Sequence, residues 1–513
     1  EELDKCPELA RQGDAENGVY LANLSATNLE ILDVDRIEVV KGPQSALYGR
    51  NAFNGAINYV PAAPARELTG RVQATVGSDE RGEGKLLVSG PFSDTLRGRL
   101  ALSYNTFDGS WENTADPGNG LGGYETKNVS GSLEYQPNDA LRINLFGFYT
   151  DDQRGPGSYY IYAAQNCGPT GRPLSAVCGP LEARDALAAN PAATGLGRKV
   201  HLESLDISYD FGPVSLVSQT SYYDAAVDIL TDYDGNGTGY PYAIVRNSDI
   251  NAIVASMGVS RPVAAALAPV VRTQNVAVFS AQGEGQNETW SQELRLESEA
   301  DQALRWSAGA FYFKNDYNSS ISAAFDNRQL AAGELPRDAL FFAVSTPAIV
   351  APPSAPLMTS DNVRKDEQVA VFGSLEYDVT DSLTIGGELR RDREDREQYN
   401  RLIGQSSLQQ REFEYTTWRA HVDYSLAPTQ KFYVSAAKGV TSGYFNSTFD
   451  AFAQQTVPAE LQAYDPAENK TYEFGWKAEW LDRRLSTELA LFYIDYTGIQ
   501  INATPPPPLV TNL

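Results

Sequence analysis

The sequence predicts an all-β fold: a transmembrane antiparallel β-barrel preceded by a small α+β unit. Three observations predict it. From about Leu68 onward, runs of roughly ten to fifteen residues alternate apolar and polar positions, and strict period two marks strands whose two faces meet different solvents. Many of these runs reach the roughly 9–11 residues that a tilted strand needs to cross a bilayer, with aromatics gathered at apolar strand ends as in membrane girdles. Finally, the connections differ by side. "PFSD", "QPND", "FGP", "EADQ", "VTDS", "APTQ" and "LDR" are short, whereas the connections at 107–123, 152–199, 231–287, 319–362, 397–411 and 442–467 are mostly long. That asymmetry belongs to outer-membrane barrels. A soluble sandwich has no reason for it.

Residues 1–65 lack the long alternation. "LEILDVDRIEVVKGP" reads as a helix or turn, a short strand and a glycine-bounded turn, and "GAINYVP" as another short strand. Lys41-Gly42 after the apolar run Ile37 to Val40 suggests a phosphate loop, but there the lysine follows its glycine and a Ser or Thr comes next. Here Lys41 precedes Gly42 and Pro43 follows. Nucleotide binding is therefore excluded.

Residues 66–513 carry the alternation. "LRGRLALSYNT" sets Leu96, Leu100, Leu102 and Tyr104 against Arg97, Arg99 and Ser103. "WSQELRLES" sets Trp290, Leu294 and Leu296 against Glu293, Arg295 and Glu297. "TWRAHVDYSL" and "TYEFGWKAEW" repeat the device, the latter with Tyr472, Phe474 and Trp476 opposite Glu473 and Lys477. About fifteen such strands fit between Leu68 and Asn502. Bacterial single-chain barrels hold an even number, so the parent is expected to contain more strands than are present.

Composition narrows function. The chain has 41 Lys and Arg against 66 Asp and Glu, a net charge of −25, which repels nucleic acid. It has only two histidines, and no motif gathers Ser, His and Asp residues, so no enzyme activity is expected. No apolar run is long enough for a membrane helix. Cys167 and Cys178 in "CGPTGRPLSAVCG" read as a disulfide-closed loop in an oxidising compartment, with two free thiols as the alternative. Cys6 is left over.

The stretch "DRIEVVKGPQSALYGRNAFNGAINYV" resembles the end of the plug domain of TonB-dependent outer-membrane receptors, in the iron-complex branch. Arg36, Glu38, Lys41, Gly42, Pro43, Leu47, Tyr48, Gly49, Gly55, Ile57 and Asn58 carry the match, and Asn54 stands where a second glycine is usual. "NGVYL", "SQELRLES" and "AKGVTSGYFN" are similar to further family segments. The resemblance implies a parent barrel of about 22 strands, with about 15 present here, and the end of a plug lying in the lumen. It also implies energised uptake across the outer membrane of a Gram-negative bacterium, driven by the TonB–ExbB–ExbD complex through plug residues outside this sequence. The leading cargo is a ferric siderophore or similar iron chelate; a carbohydrate, cobalamin or aromatic nutrient is the alternative. A passive porin or surface-binding barrel is the reading from another class. A surface lipoprotein is a further possible partner.

The family's plug–barrel ion cluster suggests that Arg36 pairs with Glu293 and Glu473, with ordinary lumen polarity as the plainer account. Tyr159, Tyr160 and Tyr162 offer a stacking surface for an aromatic, sugar or catecholate ligand, with loop packing or an interfacial girdle as the plainer account. Asp232, Asp234 and Asn236 match the first half of a calcium loop, but Ala243 at the closing position supplies no carboxylate, and a plain turn explains them as well. No resident cofactor is otherwise expected. "RRDREDRE", Arg390 to Glu397, reads as a solvated strand end above the membrane.

Overall fold

The structure is a computed structural model that describes residues 15–16, 19–20, 34–49, 52–157, 188–232, 240–259, 264, 267–276, 278–325, 334–336, 357–446, 449–450, 455–456, 458–503 and 509–512. Tyr159, Tyr160, Tyr162, Cys167, Cys178, Asp234 and Asn236 lie outside the described residues.

The N-terminal unit is a small sheet. Strand β1 (Val34–Lys41) pairs antiparallel with β2 (Gly55–Pro61), and the two-residue strands Ala15–Glu16 and Val19–Tyr20 extend the far side of β2. A four-residue helix, α1 (Ser45–Tyr48), sits in the β1–β2 connection. Gly42 enters that connection at φ 78° and Gly49 leaves the helix at φ 76°, backbone states that side-chain-bearing residues rarely adopt.

Fifteen strands then form one antiparallel sheet in simple chain order, as the periodicity predicts. They are β3 (Thr69–Val76), β4 (Gly82–Pro91), β5 (Leu96–Glu112), β6 (Gly120–Tyr135), β7 (Leu141–Arg154), β8 (Gly195–Asp210), β9 (Val214–Asp232), β10 (Val278–Ser298), β11 (Leu304–Phe325), β12 (Leu357–Thr380), β13 (Leu383–Asn400), β14 (Gln409–Ala427), β15 (Gln430–Thr441), β16 (Ala467–Trp480) and β17 (Leu485–Thr497). All seven short turns join the expected strands. Short turns face the periplasm and long loops the exterior in this architecture. The β3–β4 hairpin is the exception, a short connection at 77–81 on the long-loop side.

Several strands run further into the long connections than the alternation indicates. β5 continues to Glu112 and β10 begins at Val278. Above the bilayer both strand faces meet water, so apolar alternation fades while the backbone ladder continues. The 24 residues of β12 far exceed the span of the hydrocarbon layer.

The outward face is apolar and open: Val371 and Leu389 are 58% and 59% exposed. A soluble protein rarely shows so broad an apolar surface; lipid is its natural solvent. The inward face buries polar side chains and local aromatic clusters, among them Phe311, Phe313, Ala370 and Phe372.

Candidate functional site

The N-terminal unit is seated on one side of the barrel wall. The Ser45 hydroxyl accepts the Val440 amide at 3.4 Å. Asn469 Nδ2 donates to the Phe53 carbonyl at 3.2 Å and to Asn54 Oδ1 at 3.0 Å, and the Tyr496 hydroxyl donates to the same Asn54 oxygen at 2.9 Å. The Phe53 and Tyr496 rings lie 5.6 Å apart. Gly439 lets the two parts close: a Cβ there would lie 2.8 Å from the Phe53 carbonyl and 3.0 Å from Pro43 Cβ. Asn54, in a position where the family usually has glycine, thus provides the acceptor for two wall residues. Sequence reading noted the departure and missed its use.

Beside this seat runs a column of buried charge on β13. Arg390, Asp392 and Glu394 are each 1% exposed, and Arg396 is 7% exposed. Arg390 Nε donates to Asp392 at 2.8 Å, and Gln368 Nε2 donates to the same oxygen at 2.7 Å. Arg396 pairs with Glu394 at 2.9 Å. The Tyr415 hydroxyl donates to Glu394 at 2.6 Å, and the Ser442 hydroxyl donates to it as well. Arg390 lies 5.2 and 5.5 Å from the Phe311 and Phe372 ring centres. The solvated-end reading of "RRDREDRE" holds for only half of it. Arg391, Arg393 and Asp395 are exposed, but their alternates face the lumen. Period two across the run was the available signal.

Further from the periplasmic turn, cations and aromatic rings converge. Arg364 on β12 lies 5.2 Å from the Tyr444 ring centre and 5.4 Å from that of Tyr317. Arg396 lies 4.9 Å from the same Tyr444 ring and 6.0 Å from Phe413. Each such contact contributes about 0.5–2 kcal/mol. Arg364 has no ion pair among the described residues, and its buried Nε has no hydrogen-bond partner there. From Thr380 to Arg364 the chain runs about 55 Å at a strand rise of ~3.4 Å, or about 40 Å of height after tilt. An apolar band about 25 Å tall ends below that level. The cluster therefore lines the outer mouth of the lumen.

The pairing of Arg36 with Glu293 and Glu473 is not formed. Arg36 donates to Glu38 at 2.7 Å and Asp35 at 3.1 Å. Glu293 is bonded to Arg295 at 2.9 Å and Glu473 to the Tyr433 hydroxyl at 2.5 Å. Residues two apart share a strand face about 7 Å apart, so an arginine reaches its own strand's carboxylate without crossing the lumen. The same pattern holds for Arg390–Asp392, Arg396–Glu394, Arg295–Glu293 and Arg154–Asp152. Glu38 also accepts from Asn58, 3% exposed, at 3.1 Å. The inward row of β1 is Arg36, Glu38 and Val40, while Ile37, Val39 and Ile57 are exposed. Ala52 and Ala56 are buried there instead. Lys41 pairs with Gly55 across the sheet, and a Cβ at Gly55 would lie 2.5 Å from the Val40 carbonyl. Leu47 and Tyr48 fall in α1. Asp232 is buried at the end of β9, accepting the Asn190 amide at 2.8 Å.

Residues 189–512, well over half the chain, match the family described as TonB dependent receptor-like, beta-barrel, and residues 15–56 match the TonB-dependent receptor plug domain. The chain belongs to the TonB-dependent receptors. This receptor is thus an outer-membrane barrel of the Gram-negative type, with the small sheet and α1 forming part of its plug. It is 33% identical over 118 residues to the pesticin receptor of Yersinia pestis, covering 23% of this chain and 18% of that protein. It is 27% identical over 115 residues to the vitamin B12 transporter BtuB of Vibrio vulnificus, covering 22% of this chain and 19% of that protein. Among solved structures, the ferric yersiniabactin uptake receptor FyuA of Yersinia pestis matches with a TM-score of 0.63 at 15% identity, over 94% of this chain and 61% of that one. The ferric-catecholate import receptor Fiu of E. coli K12, in its closed form, matches with a TM-score of 0.65 at 14% identity, over 98% and 68%. The matches span less than a fifth of the length of these curated relatives.

Proposed function

We propose that this receptor imports a scarce anionic solute across the outer membrane, with a ferric siderophore or similar iron chelate as its cargo. The TonB–ExbB–ExbD complex supplies the energy by acting on the plug, and the protein makes and breaks no covalent bond. The carrying observation is Arg364, held between Tyr317 and Tyr444 at the outer mouth with no carboxylate partner among the described residues. A guanidinium presents donors in a planar fork, and neighbouring ring faces stack on flat ligands. Together they suit a chelate that carries negative charge on oxygen atoms attached to planar groups. The names of the similar structures, a ferric yersiniabactin receptor and a ferric-catecholate receptor, support the same class.

Vitamin B12 is the second reading, favoured by the BtuB relatives. Binding of a radiolabelled ferric catecholate and of cyanocobalamin to de-energised cells carrying the full-length receptor separates the two. The ferric chelate is expected to bind, and R364Q or Y444A to weaken it at least tenfold. Saturable cobalamin binding that both variants leave unchanged would reverse the assignment. A porin reading fits poorly with a plug held to the wall by four hydrogen bonds; a large, constant current through the purified full-length receptor would revive it.

A further inference from the structure

We propose that Arg390 is a second anion-binding point on the lumen wall, covered by the plug in the present state and uncovered when the plug moves. The inference rests on the transport reading above and concerns a step after capture.

Arg390 is fully buried, yet both its terminal nitrogens, Nη1 and Nη2, lack a hydrogen-bond partner among the described residues. Its Nε is engaged by Asp392, so the unused donors lie on the opposite edge of the fork. Thr417, across the ladder from Arg390, and Gln368 and Asp392, joined to it through one carboxylate, likewise have buried oxygens, Oγ1, Oε1 and Oδ2, without a hydrogen-bond partner among the described residues. A wall that needed only to fill this space would use an apolar side chain, since unsatisfied buried donors are costly. What covers the group is plug backbone. A Cβ added at Gly49 would lie 2.9 Å from Arg390 Cζ and Nη2 and 3.2 Å from Nη1. Those near-equal distances place the glycine over the plane of the guanidinium. On the wall side, Phe311 and Phe372 hold it in place. Moving the Gly49 segment is therefore the event that opens a preformed guanidinium to the lumen.

Its position suits onward transfer. Arg396, in the outer cluster, lies six residues further along the same strand face, about 20 Å at the strand rise. The chelate's anionic oxygens pass from Arg364 and Arg396 at the mouth to Arg390 below. Asp392 tempers the charge, and a site on a conduction path must bind weakly enough to release. The class of ligand is an anionic chelate presenting carboxylate, hydroxamate or catecholate oxygens.

The test uses the full-length receptor in cells, as wild type, R390Q and R390K. Three readouts are taken: binding of a labelled ferric catecholate in de-energised cells, energised uptake of the same chelate, and entry of a large antibiotic that only an unplugged barrel admits. R390Q is expected to bind within twofold of wild type, to take up at least tenfold more slowly, and to admit no antibiotic. R390K, which keeps the charge, is expected to recover a substantial part of the uptake. Uptake by R390Q at the wild-type rate would overturn the proposal. So would antibiotic entry with normal uptake, which makes Arg390 only a seat for the plug. If R390Q fails to reach the outer membrane, R390M, which also removes the charge, decides: wild-type binding with at least tenfold slower uptake supports the site, and uptake at the wild-type rate overturns it. Failure of the wild type to bind the chelate at all is a separate outcome; it refutes the transport reading and with it this one.

Discussion

Gly49→Ala should loosen the plug without touching the outer cluster. Gly49 has φ 76° with ψ −131°, outside the left-handed helical region and in one that glycine dominates, where an L residue costs about 1–3 kcal/mol. The new methyl also meets the Arg390 guanidinium at 2.9 Å. An exposed arginine would swing aside, but this one is fully buried against Phe311 and Phe372. Displacing it forfeits cation–π contacts of about 0.5–2 kcal/mol, for a total of about 2–5 kcal/mol. The four hydrogen bonds of the seat contribute about 1 kcal/mol each, so the substitution is of the same size as the polar seat itself. At about 1.4 kcal/mol per tenfold change, the unseated plug becomes roughly 30- to 4,000-fold more populated. The assay is maleimide labelling of S45C in de-energised cells, with and without G49A; Ser45 is buried against the wall, so labelling reports unseating. Equal labelling rates within twofold, at equal receptor abundance, would refute both the strain and the contact.

Other substitutions probe separate parts. Asn469→Ala removes both bonds to the Phe53–Asn54 segment and should raise S45C labelling by about one to two decades, at 1–3 kcal/mol for the loss. Glu394→Gln leaves Arg396 without its closest carboxylate; breaking a buried pair costs about 3–5 kcal/mol, read as a lower urea midpoint of the folded barrel. Leu389→Arg, on the lipid face beside the buried Arg390, should cost about 2–4 kcal/mol in bilayers, measured by the same unfolding titration. An Arg393→Leu control, on the same face but nearer the long-loop end, should change it by less than ~1 kcal/mol. A larger effect there would place the apolar band too low.

Strand number, order and all the short turns were legible because lipid on one face and polar lumen on the other impose period two without interruption. Strand ends were not, because above the bilayer that contrast disappears while the ladder continues, as at Glu112 and Val278. The plug glycines were readable from local turn chemistry, and Gly42 and Gly49 have the positive φ it demands. Ion pairing was not. A motif names charged residues but not which neighbour each reaches first, and Arg36 reaches Glu38. The outer cluster joins Tyr317, Arg364, Arg396 and Tyr444 from four places in the chain, a proximity created only by sheet order.

Lumen arginines find their counter-charge in two ways, and the difference has a bearing on biogenesis. Arg390, Arg396 and Arg295 settle on a carboxylate two residues away, so their stretch of strand is electrically complete before its neighbour arrives. Arg198 and Arg305 instead reach Asp152 and Glu376 on the adjoining strand, so each half of those pairs waits at a growing edge for its partner. A lineage can exchange hairpins with little electrostatic rework where the first kind prevails, whereas the second kind ties neighbouring strands together.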